Sequence, residues 1–323
     1  MKIKENICQT GGKTDSNGRI INEDGLIHFE IYTESQKSKY IVLMDGASGL
    51  GKNNEFVKNL TSAEWYVQFM LKEFKNLFTR YPNKPINPIV KECILHATKF
   101  VNDYEQENNI ILEEYEKPSA SLAILKQNSD YTELYLLGDT ETIIGYKNGM
   151  VERVNNPNQK AVQNNDNKVI KRMEELANIE KCDFIDTLSR LEIKEMLQTN
   201  RGKKNQECTG GYWICGTDEK ATDHGIGLTL KNTEIDGIIL ASDGFNYSLL
   251  GMNEKNVYKA LKQHGADYIV RRIREIENND AKCNKYPRFK KSDDLTIVLT
   301  DFNEREYGEN LNLNIETNND LEK

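Results

Sequence analysis

Short apolar runs that border acidic residues constrain this chain more than any other feature. The acidic groups are Asn22-Glu23-Asp24, Asp45-Gly46, Asp243-Gly244 and Asp293-Asp294. The neighbouring apolar runs are typical of strands, so the carboxylates are expected at strand ends. Four like charges come together only if a cation offsets their repulsion, and oxygen-only ligands suit Mg²⁺ or Mn²⁺. The sequence therefore predicts a divalent-metal site with hydrolytic chemistry.

The composition excludes several classes of protein. The 323 residues are 37% hydrophobic and 29% charged, which is typical of a globular protein. No apolar run approaches the roughly 20 residues that span a bilayer, and the first residues lack the apolar core of a signal peptide. We therefore expect a cytoplasmic protein without a membrane partner, and a monomer. The net charge of -8 argues against nucleic acid as a partner, and six cysteines without a Cys-x-x-Cys pair predict reduced thiols.

Strand and helix patterns are mixed along the chain rather than strictly alternating. The predicted strands cover residues 27–33, 40–44, 119–126, 132–137, 141–146, 211–215, 226–230, 237–241 and 295–300. The predicted helices cover about residues 54–78, 87–108, 167–198 and 253–277. This mixture favours an α+β layered sandwich over a doubly wound parallel sheet. Residues 1–302 are expected to form one catalytic domain, and the polar residues 303–323 a disordered tail.

Six short motifs are spread over nearly the whole chain. They are Arg19-x-x-Asn22-Glu23-Asp24, Met44-Asp45-Gly46, Ser119-Ala120-Ser121-Leu122-Ala123, Leu137-Gly138-Asp139-Thr140, Ala241-Ser242-Asp243-Gly244 and Asp293-Asp294-Leu295-Thr296. In this order they resemble the motifs of the metal-dependent serine/threonine phosphatases of the 2C type, in their bacterial-like form. Each motif alone is weak, but six in the family's order are fairly specific. The resemblance implies a four-layer α-β-β-α sandwich of two antiparallel sheets flanked by helices.

The resemblance also implies a pair of Mn²⁺ or Mg²⁺ ions at one end of that sandwich. Asp45 is expected to bridge the two ions, because a carboxylate can offer one oxygen to each. The backbone carbonyl of Gly46 would contact the second ion, since glycine lets the backbone approach closely. Asp243 and Asp293 would complete the first metal site, and Asp24 would hold the second ion.

Other positions are predicted less directly. Arg19 is the expected phosphate clamp, because a guanidinium presents two parallel donors to a phosphate. The resemblance implies that Asp139 can help to hold a third, weaker metal, while Gly138-Asp139 alone also fits a turn between two strands. Tyr247 stands where the family usually has a further aspartate, which puts that third metal in doubt. Ala47 stands where some members have a histidine that protonates the leaving group.

The expected reaction is hydrolysis of phosphoserine or phosphothreonine in proteins. The resemblance implies in-line attack by a hydroxide that bridges the two metals, without a phosphoenzyme. The residues themselves support phosphate-ester hydrolysis, and the phosphoprotein substrate comes from the resemblance. Residues 155–206 form an insertion that is the predicted site of substrate selection, because loops around a rigid site often determine specificity.

Two other functions remain open from the sequence. Gly46–Lys52 fits the G-x-x-x-x-G-K part of a nucleotide-binding P-loop, although Asn53 replaces the metal-binding Ser or Thr and Asp45 would repel the phosphates. A catalytically inactive pseudophosphatase or regulatory module would keep the fold, but its signature would be loss of the acidic ligands. An isolated Asp-Gly pair most often marks a turn, so the prediction depends on the whole set of motifs.

Overall fold

The computed structural model describes residues 4–14, 18–34, 36–47, 50–51 and 56–302. The predicted disordered tail, residues 303–323, lies outside the described residues. The strands are β1 (Lys4–Thr10), β2 (Lys13–Thr14), β3 (Ile20–Ile21), β4 (Asp24–Tyr32), β5 (Lys37–Ala47), β6 (Ser119–Gln127), β7 (Tyr131–Leu137), β8 (Glu141–Tyr146), β9 (Val151–Arg153), β10 (Ile226–Lys231), β11 (Ile235–Ala241) and β12 (Leu295–Asp301). The α-helices are α1 (Ser62–Arg80), α2 (Ile86–Asn108), α3 (Pro157–Glu180), α4 (Leu191–Arg201), α5 (Glu254–His264) and α6 (Ala266–Asn279).

Two five-stranded antiparallel sheets form the centre of the molecule. One sheet has the order β1-β12-β11-β8-β9 and the other the order β10-β7-β6-β5-β4. Helices α5 and α6 pack on the first sheet, and α1 and α2 on the second. The predicted α+β fold, a four-layer α-β-β-α sandwich, is therefore confirmed. In the described part of the chain, no helix is both long and apolar enough to cross a membrane.

Strand β5 shows why the sequences of the central strands are continuous apolar runs. Its residues Tyr40, Val42 and Met44 belong to the core under α1 and α2. Ile41 and Leu43 belong to the apolar layer between the two sheets. Because successive side chains of a strand point to opposite faces, a strand covered on both sides is apolar at every position. The run ends at Asp45, which is thus held at the end of a rigid, buried strand.

The start of α1 is set by a reciprocal cap. The Thr61 hydroxyl accepts a hydrogen bond from the Glu64 backbone N–H (3.1 Å), and the Glu64 carboxylate accepts one from the Thr61 N–H (2.9 Å). Two backbone donors of the first turn are satisfied in this way. The predicted helix start near residue 54 is therefore wrong, and α1 begins at Ser62.

Other sequence predictions of single elements also need correction. The predicted helix at 253–277 is two helices, because Gly265 has a φ of 82° and interrupts it. Residues 211–215 form isolated bridges at Tyr212 and Cys215 and not a strand. Strand β1, which pairs with β12, was not predicted, because its polar side chains lack an apolar pattern.

The insertion between β9 and β10 is helical, as expected, but starts earlier than predicted. Helices α3 and α4 and a short 3₁₀ helix (Phe184–Ser189) share a small apolar core. The core also includes Cys283, and Phe289 packs against it. Both residues belong to the segment that joins α6 to β12. The insertion therefore packs on the segment that leads to Asp293.

We predict that Leu43→Ala will lower the free energy of unfolding by about 3 kcal/mol, because it leaves a cavity between the two sheets. Leu43 is fully buried, whereas Leu191 is 72% exposed. Leu191→Ala is the matched control and should change stability by less than about 0.5 kcal/mol. Urea unfolding measures the free energy of unfolding of both variants. Equal losses in Leu43→Ala and Leu191→Ala would contradict the packing of the two sheets.

Candidate metal centre

The two Asp-Gly motifs meet although they belong to different sheets. Asp45 lies near the end of β5, and Asp243 follows β11 of the other sheet. The Asp243 backbone N–H donates a hydrogen bond to the Asp45 Oδ2 atom (3.0 Å). Residues almost 200 positions apart are thus joined directly. This bond fixes one oxygen of Asp45 at the junction between the sheets.

Both glycines of these motifs are required by close packing. Gly46 lies inside β5 and donates a hydrogen bond to the Glu23 carbonyl oxygen (3.1 Å). A side chain at Gly46 would overlap that same oxygen, and a side chain at Gly244 would overlap the Asp294 carbonyl oxygen. Only glycine permits these approaches. At position 46, Asp-Gly therefore serves packing within a strand and is not a turn.

Asp24 lies opposite Asp45 in the register of β4 and β5. Asp24 is 6% exposed, and neither of its carboxylate oxygens has a hydrogen-bond partner among the described residues. The hydroxyls of Ser242 and Thr296 are close enough to favour the charged form, but they do not reach hydrogen-bond geometry. A buried carboxylate without partners is costly unless a cation is nearby.

The two members of the Asp293-Asp294 pair have different roles. Asp294 accepts hydrogen bonds from the backbone N–H groups of Gly12 (2.6 Å) and Glu23 (2.8 Å). It therefore ties the start of β12 to the segment that precedes Asp24. Asp293 instead lines the cavity described below. The sequence did not distinguish the two, because both precede the same strand.

Asp293 is held from both its backbone and its side chain. The Arg274 guanidinium donates to the Asp293 carbonyl oxygen (2.6 Å). The Asp293 Oδ1 atom accepts from the Asp294 N–H (2.8 Å) and is in contact with the Lys290 ammonium group. Both contacts fall on Oδ1, so Oδ2 is the oxygen left to bind a ligand.

Asp139 reaches the site from the turn between β7 and β8. Its backbone N–H donates to the Ser121 Oγ atom (3.1 Å), and the Ser121 hydroxyl donates to the Asp139 carboxylate. Ser121 lies next to Asp45 in the register of β5 and β6. The central strands therefore place Asp139 on the same side of the sheet as Asp45.

These carboxylates open into one cavity of about 460 Å³. Predicted residues that line it are Asp45, Gly46, Asp139, Asp243 and Asp293. Asp24 is not among the lining residues but pairs with Asp45 across strands β4 and β5. The insertion supplies much of the rest of the lining, including Val162, Asn165, Asp166, Leu188, Leu197, Asn200 and Arg201. The predicted acidic positions are thus brought together at one end of the sandwich.

Burial and mutual repulsion raise the pKa values of the carboxylates. Desolvation, followed by the charges of Asp24, Asp139 and Asp293, holds the pKa of Asp45 well above its usual range. Desolvation and the charge of Asp45 do the same to the pKa of Asp243. Desolvation is also the largest cause for Asp24, whose pKa is raised to about 7. Carboxyl groups with raised pKa values are stabilised either by taking up a proton or by a nearby cation.

The donor set fits hard divalent cations such as Mg²⁺ and Mn²⁺. The predicted side-chain donors are all carboxylate oxygens, and in the part of the chain that the structure describes both oxygens of Asp24 lack a hydrogen-bond partner. Within the described residues, however, no three His, Cys, Asp or Glu side chains are already arranged around one ion.

Two predicted features fall outside this arrangement. Arg19 forms a two-pronged ion pair with Glu64 of α1 (2.7 and 3.0 Å) and does not line the cavity. Tyr247 lies near the Glu141 carboxylate, which Arg153 pairs with at 2.7 Å. Tyr247 therefore belongs to a structural network, and the question of a third metal stays a prediction of the sequence.

The sequence missed several residues of the cavity. Asp166 and Arg201 come from the insertion, and Lys290 from the segment before β12. Burial and the charge of Asp139 raise the pKa of Asp166 to about 7. None of the three belongs to a recognisable motif. Asp166 and Arg201 lie in helices of a charged insertion and Lys290 in an irregular segment, so no local pattern indicated that they line the cavity.

The P-loop alternative finds no support in the topology. Ser48, Gly49, Lys52 and Asn53 lie outside the described residues. Strand β5, which precedes them, pairs antiparallel with both β4 and β6. P-loops follow strands of parallel sheets.

Comparison with known proteins gives a likeness of fold. No family model and no curated protein sequence matches the chain. A solved bacterial serine phosphatase is similar at a TM-score of 0.52 and 13% identity, over 94% of this chain and 100% of that one. Stp1 of Staphylococcus aureus gives 0.50 and 13%, over 93% and 95%. PstP/Ppp of Mycobacterium tuberculosis gives 0.51 and 12%, over 93% and 98%. The chain therefore has the fold of bacterial serine/threonine phosphatases, and the resemblance is confirmed at the level of fold.

We predict that Asp24→Asn will stabilise the protein in the presence of a chelator at pH 8, by about 2 kcal/mol. The folded pKa of Asp24, about 7, lies above its ordinary value of 3.8. Stability linked to this group is therefore present at pH below 3.8 and is lost as the pH rises through 7. The gain should shrink at pH 5, where the wild-type carboxyl is largely protonated.

The measurement compares the thermal unfolding midpoints of the wild type and Asp24→Asn at pH 8 and pH 5, with and without Mn²⁺. Mn²⁺ should stabilise the wild type more than the variant. Asp130→Asn, in an exposed turn, is the control and should change neither the unfolding midpoint in chelator nor the stabilisation by Mn²⁺. A variant that is less stable than the wild type at pH 8 in chelator would contradict the electrostatic account.

Proposed function

We propose that this protein is a metal-dependent phosphatase that hydrolyses phosphoserine and phosphothreonine in proteins. The observation that carries this proposal is the hydrogen bond of 3.0 Å that joins Asp243 to Asp45, in a cavity that Asp139 and Asp293 also line. The fold supports it, since the similar structures are named as serine or serine/threonine phosphatases. We assign residues 1–302 to the catalytic domain.

Oxygen donors at the junction of the sheets would hold two divalent cations, Mn²⁺ or Mg²⁺. These donors belong to Asp24, Asp45, Gly46, Asp243 and Asp293, with Asp139 near a third, weaker position. When bound, the two ions would activate a water molecule as a hydroxide at neutral pH and neutralise the phosphate oxygens. The Asp243 N–H fixes one oxygen of Asp45, and Lys290 with the Asp294 N–H fixes one oxygen of Asp293.

The reaction proposed is a direct transfer of the phosphoryl group to water. A bond forms between phosphorus and the water oxygen, and the bond to the serine or threonine oxygen breaks in line with it. The leaving oxygen takes up a proton. Position 47 is an alanine, so that proton comes from water and not from a side chain at this position.

The insertion is proposed to select the substrate. It places Val162, Leu188 and Leu197 on the wall of the cavity, where Phe289 joins them. An apolar wall beside a cluster of carboxylates fits a phosphorylated residue that has an apolar neighbour in its peptide. The cytoplasmic location and the monomeric state remain predictions of the sequence.

Asp45→Asn and Asp243→Asn should each lower kcat/KM for p-nitrophenyl phosphate by at least about 100-fold in saturating Mn²⁺, because each removes a metal ligand at the reacting centre. The wild type should lose its activity in chelator and regain it with Mn²⁺ or Mg²⁺. Asp130→Asn is again the control and should retain full activity. Hydrolysis by the wild type that does not depend on metal would sink the proposal.

Leu197→Ala should weaken the preference for peptides in which an apolar residue is next to the phosphorylated residue. The comparison uses two phosphothreonine peptides that differ only in a leucine or a serine next to the phosphothreonine. The ratio of their kcat/KM values should fall by about tenfold, because contacts to a few methylene groups are lost. Leu191→Ala, on the exposed side of α4, should leave the ratio unchanged.

A further inference from the structure

The cavity contains an excess of negative charge that a phosphate must overcome. Asp45, Asp139, Asp243 and Asp293 all line it, and the insertion adds Asp166. A phosphate monoester is itself an anion, and like charges within one partly buried cavity repel strongly. Binding of the substrate therefore needs positive charge from the protein as well as from metal ions.

Two cationic side chains are found among the described residues that line the cavity, Arg201 and Lys290. The Lys290 ammonium is engaged with the Asp293 carboxylate. The Arg201 guanidinium makes no ion pair or side-chain hydrogen bond with any described residue. Burial raises the pKa values of Asp139 and Asp166, and the charge of Arg201, which lines the same cavity, opposes that rise in both. Arg201 is thus a cation inside the cavity whose donors are available.

The backbone around Arg201 is anchored on both sides. Arg201 is the last residue of α4. One turn earlier, the Gln198 side-chain amide donates to the Leu50 carbonyl oxygen (3.1 Å), just beyond the Asp45-Gly46 motif. Three residues later, the buried Lys204 ammonium donates to the Lys117 carbonyl oxygen (2.6 Å). These contacts fix the end of α4 over the cavity, so Arg201 is positioned and not merely exposed.

Arg19, the predicted phosphate clamp, is held in an ion pair with Glu64. Arg19 pairs with Glu64 through two hydrogen bonds, and Glu64 is 5% exposed and also caps α1. Removing Arg19 from this pair would leave a buried carboxylate without its countercharge, which is costly. The Arg19 guanidinium is therefore explained by the stability of α1.

We propose, on the basis of the phosphatase function proposed above, that the Arg201 guanidinium binds the phosphate group of the substrate, in the role that the sequence predicts for Arg19. A guanidinium can donate two parallel hydrogen bonds to two phosphate oxygens, which a lysine cannot reproduce. The insertion would thus supply a phosphate-binding residue as well as the apolar wall beside it.

The experiment compares Arg201→Gln, Arg201→Lys, Arg19→Gln and the control Arg190→Gln with the wild type, all loaded with Mn²⁺. Arg190 precedes the first residue of α4, pairs with Glu180 and is not among the residues that line the cavity. The first readout is the dissociation constant of inorganic phosphate, measured by calorimetry, which needs no turnover. The second is the change of KM and kcat for p-nitrophenyl phosphate.

Arg201→Gln should weaken phosphate binding by tenfold or more and raise KM to a similar extent, since a charged two-pronged contact is lost. Arg201→Lys should recover only part of the affinity. Arg190→Gln should stay within about twofold of the wild type. The thermal unfolding midpoint should fall more in Arg19→Gln than in Arg201→Gln, because only Arg19 loses a two-pronged ion pair with a buried carboxylate.

Unchanged phosphate affinity in Arg201→Gln would overturn the assignment. So would a loss in Arg19→Gln that equals or exceeds the loss in Arg201→Gln. Failure of the phosphatase function gives a different result, namely a wild type that binds Mn²⁺ and phosphate without hydrolysing p-nitrophenyl phosphate. The calorimetric comparison of the arginine variants keeps its meaning in that case.

Discussion

Repulsion between buried carboxylates is the constraint on which the rest of this structure depends. Asp24, Asp45 and Asp243 lie where the ends of two sheets meet, and desolvation raises the pKa of each. An assembly of this kind costs stability unless cations offset it. Two packed sheets, covered on both faces by helices, provide a scaffold rigid enough to hold these groups together. The fold in effect stabilises an arrangement that the site alone would oppose.

The local details serve this convergence. Glycines at positions 46 and 244 allow backbone segments to approach each other closely beside the carboxylates. Asp294 uses its carboxylate to bind two backbone N–H groups and so positions the segment before Asp24. Apolar layers on both sides of strand β5 hold the strand that carries Asp45.

The insertion connects the selection of substrates to the chemistry. Its own small core packs against the segment that leads to Asp293, and its last helix is anchored beside the Asp45-Gly46 motif. It therefore contacts the segments that lie next to two strand ends that carry carboxylates. A change in the insertion can in this way alter both the wall of the cavity and the position of its charged groups.

The sequence by itself determined the α+β class, most of the strands and the acidic positions, because buried strands require apolar runs and carboxylates interrupt them visibly. It did not determine where α1 begins, that Gly265 divides a helix, or that β1 forms. Only the tertiary structure decided that Asp293 faces the cavity while Asp294 binds backbone, that Arg19 pairs with Glu64, and that Arg201 faces the carboxylates. These outcomes depend on contacts between residues far apart in the chain, which no local pattern of side chains records.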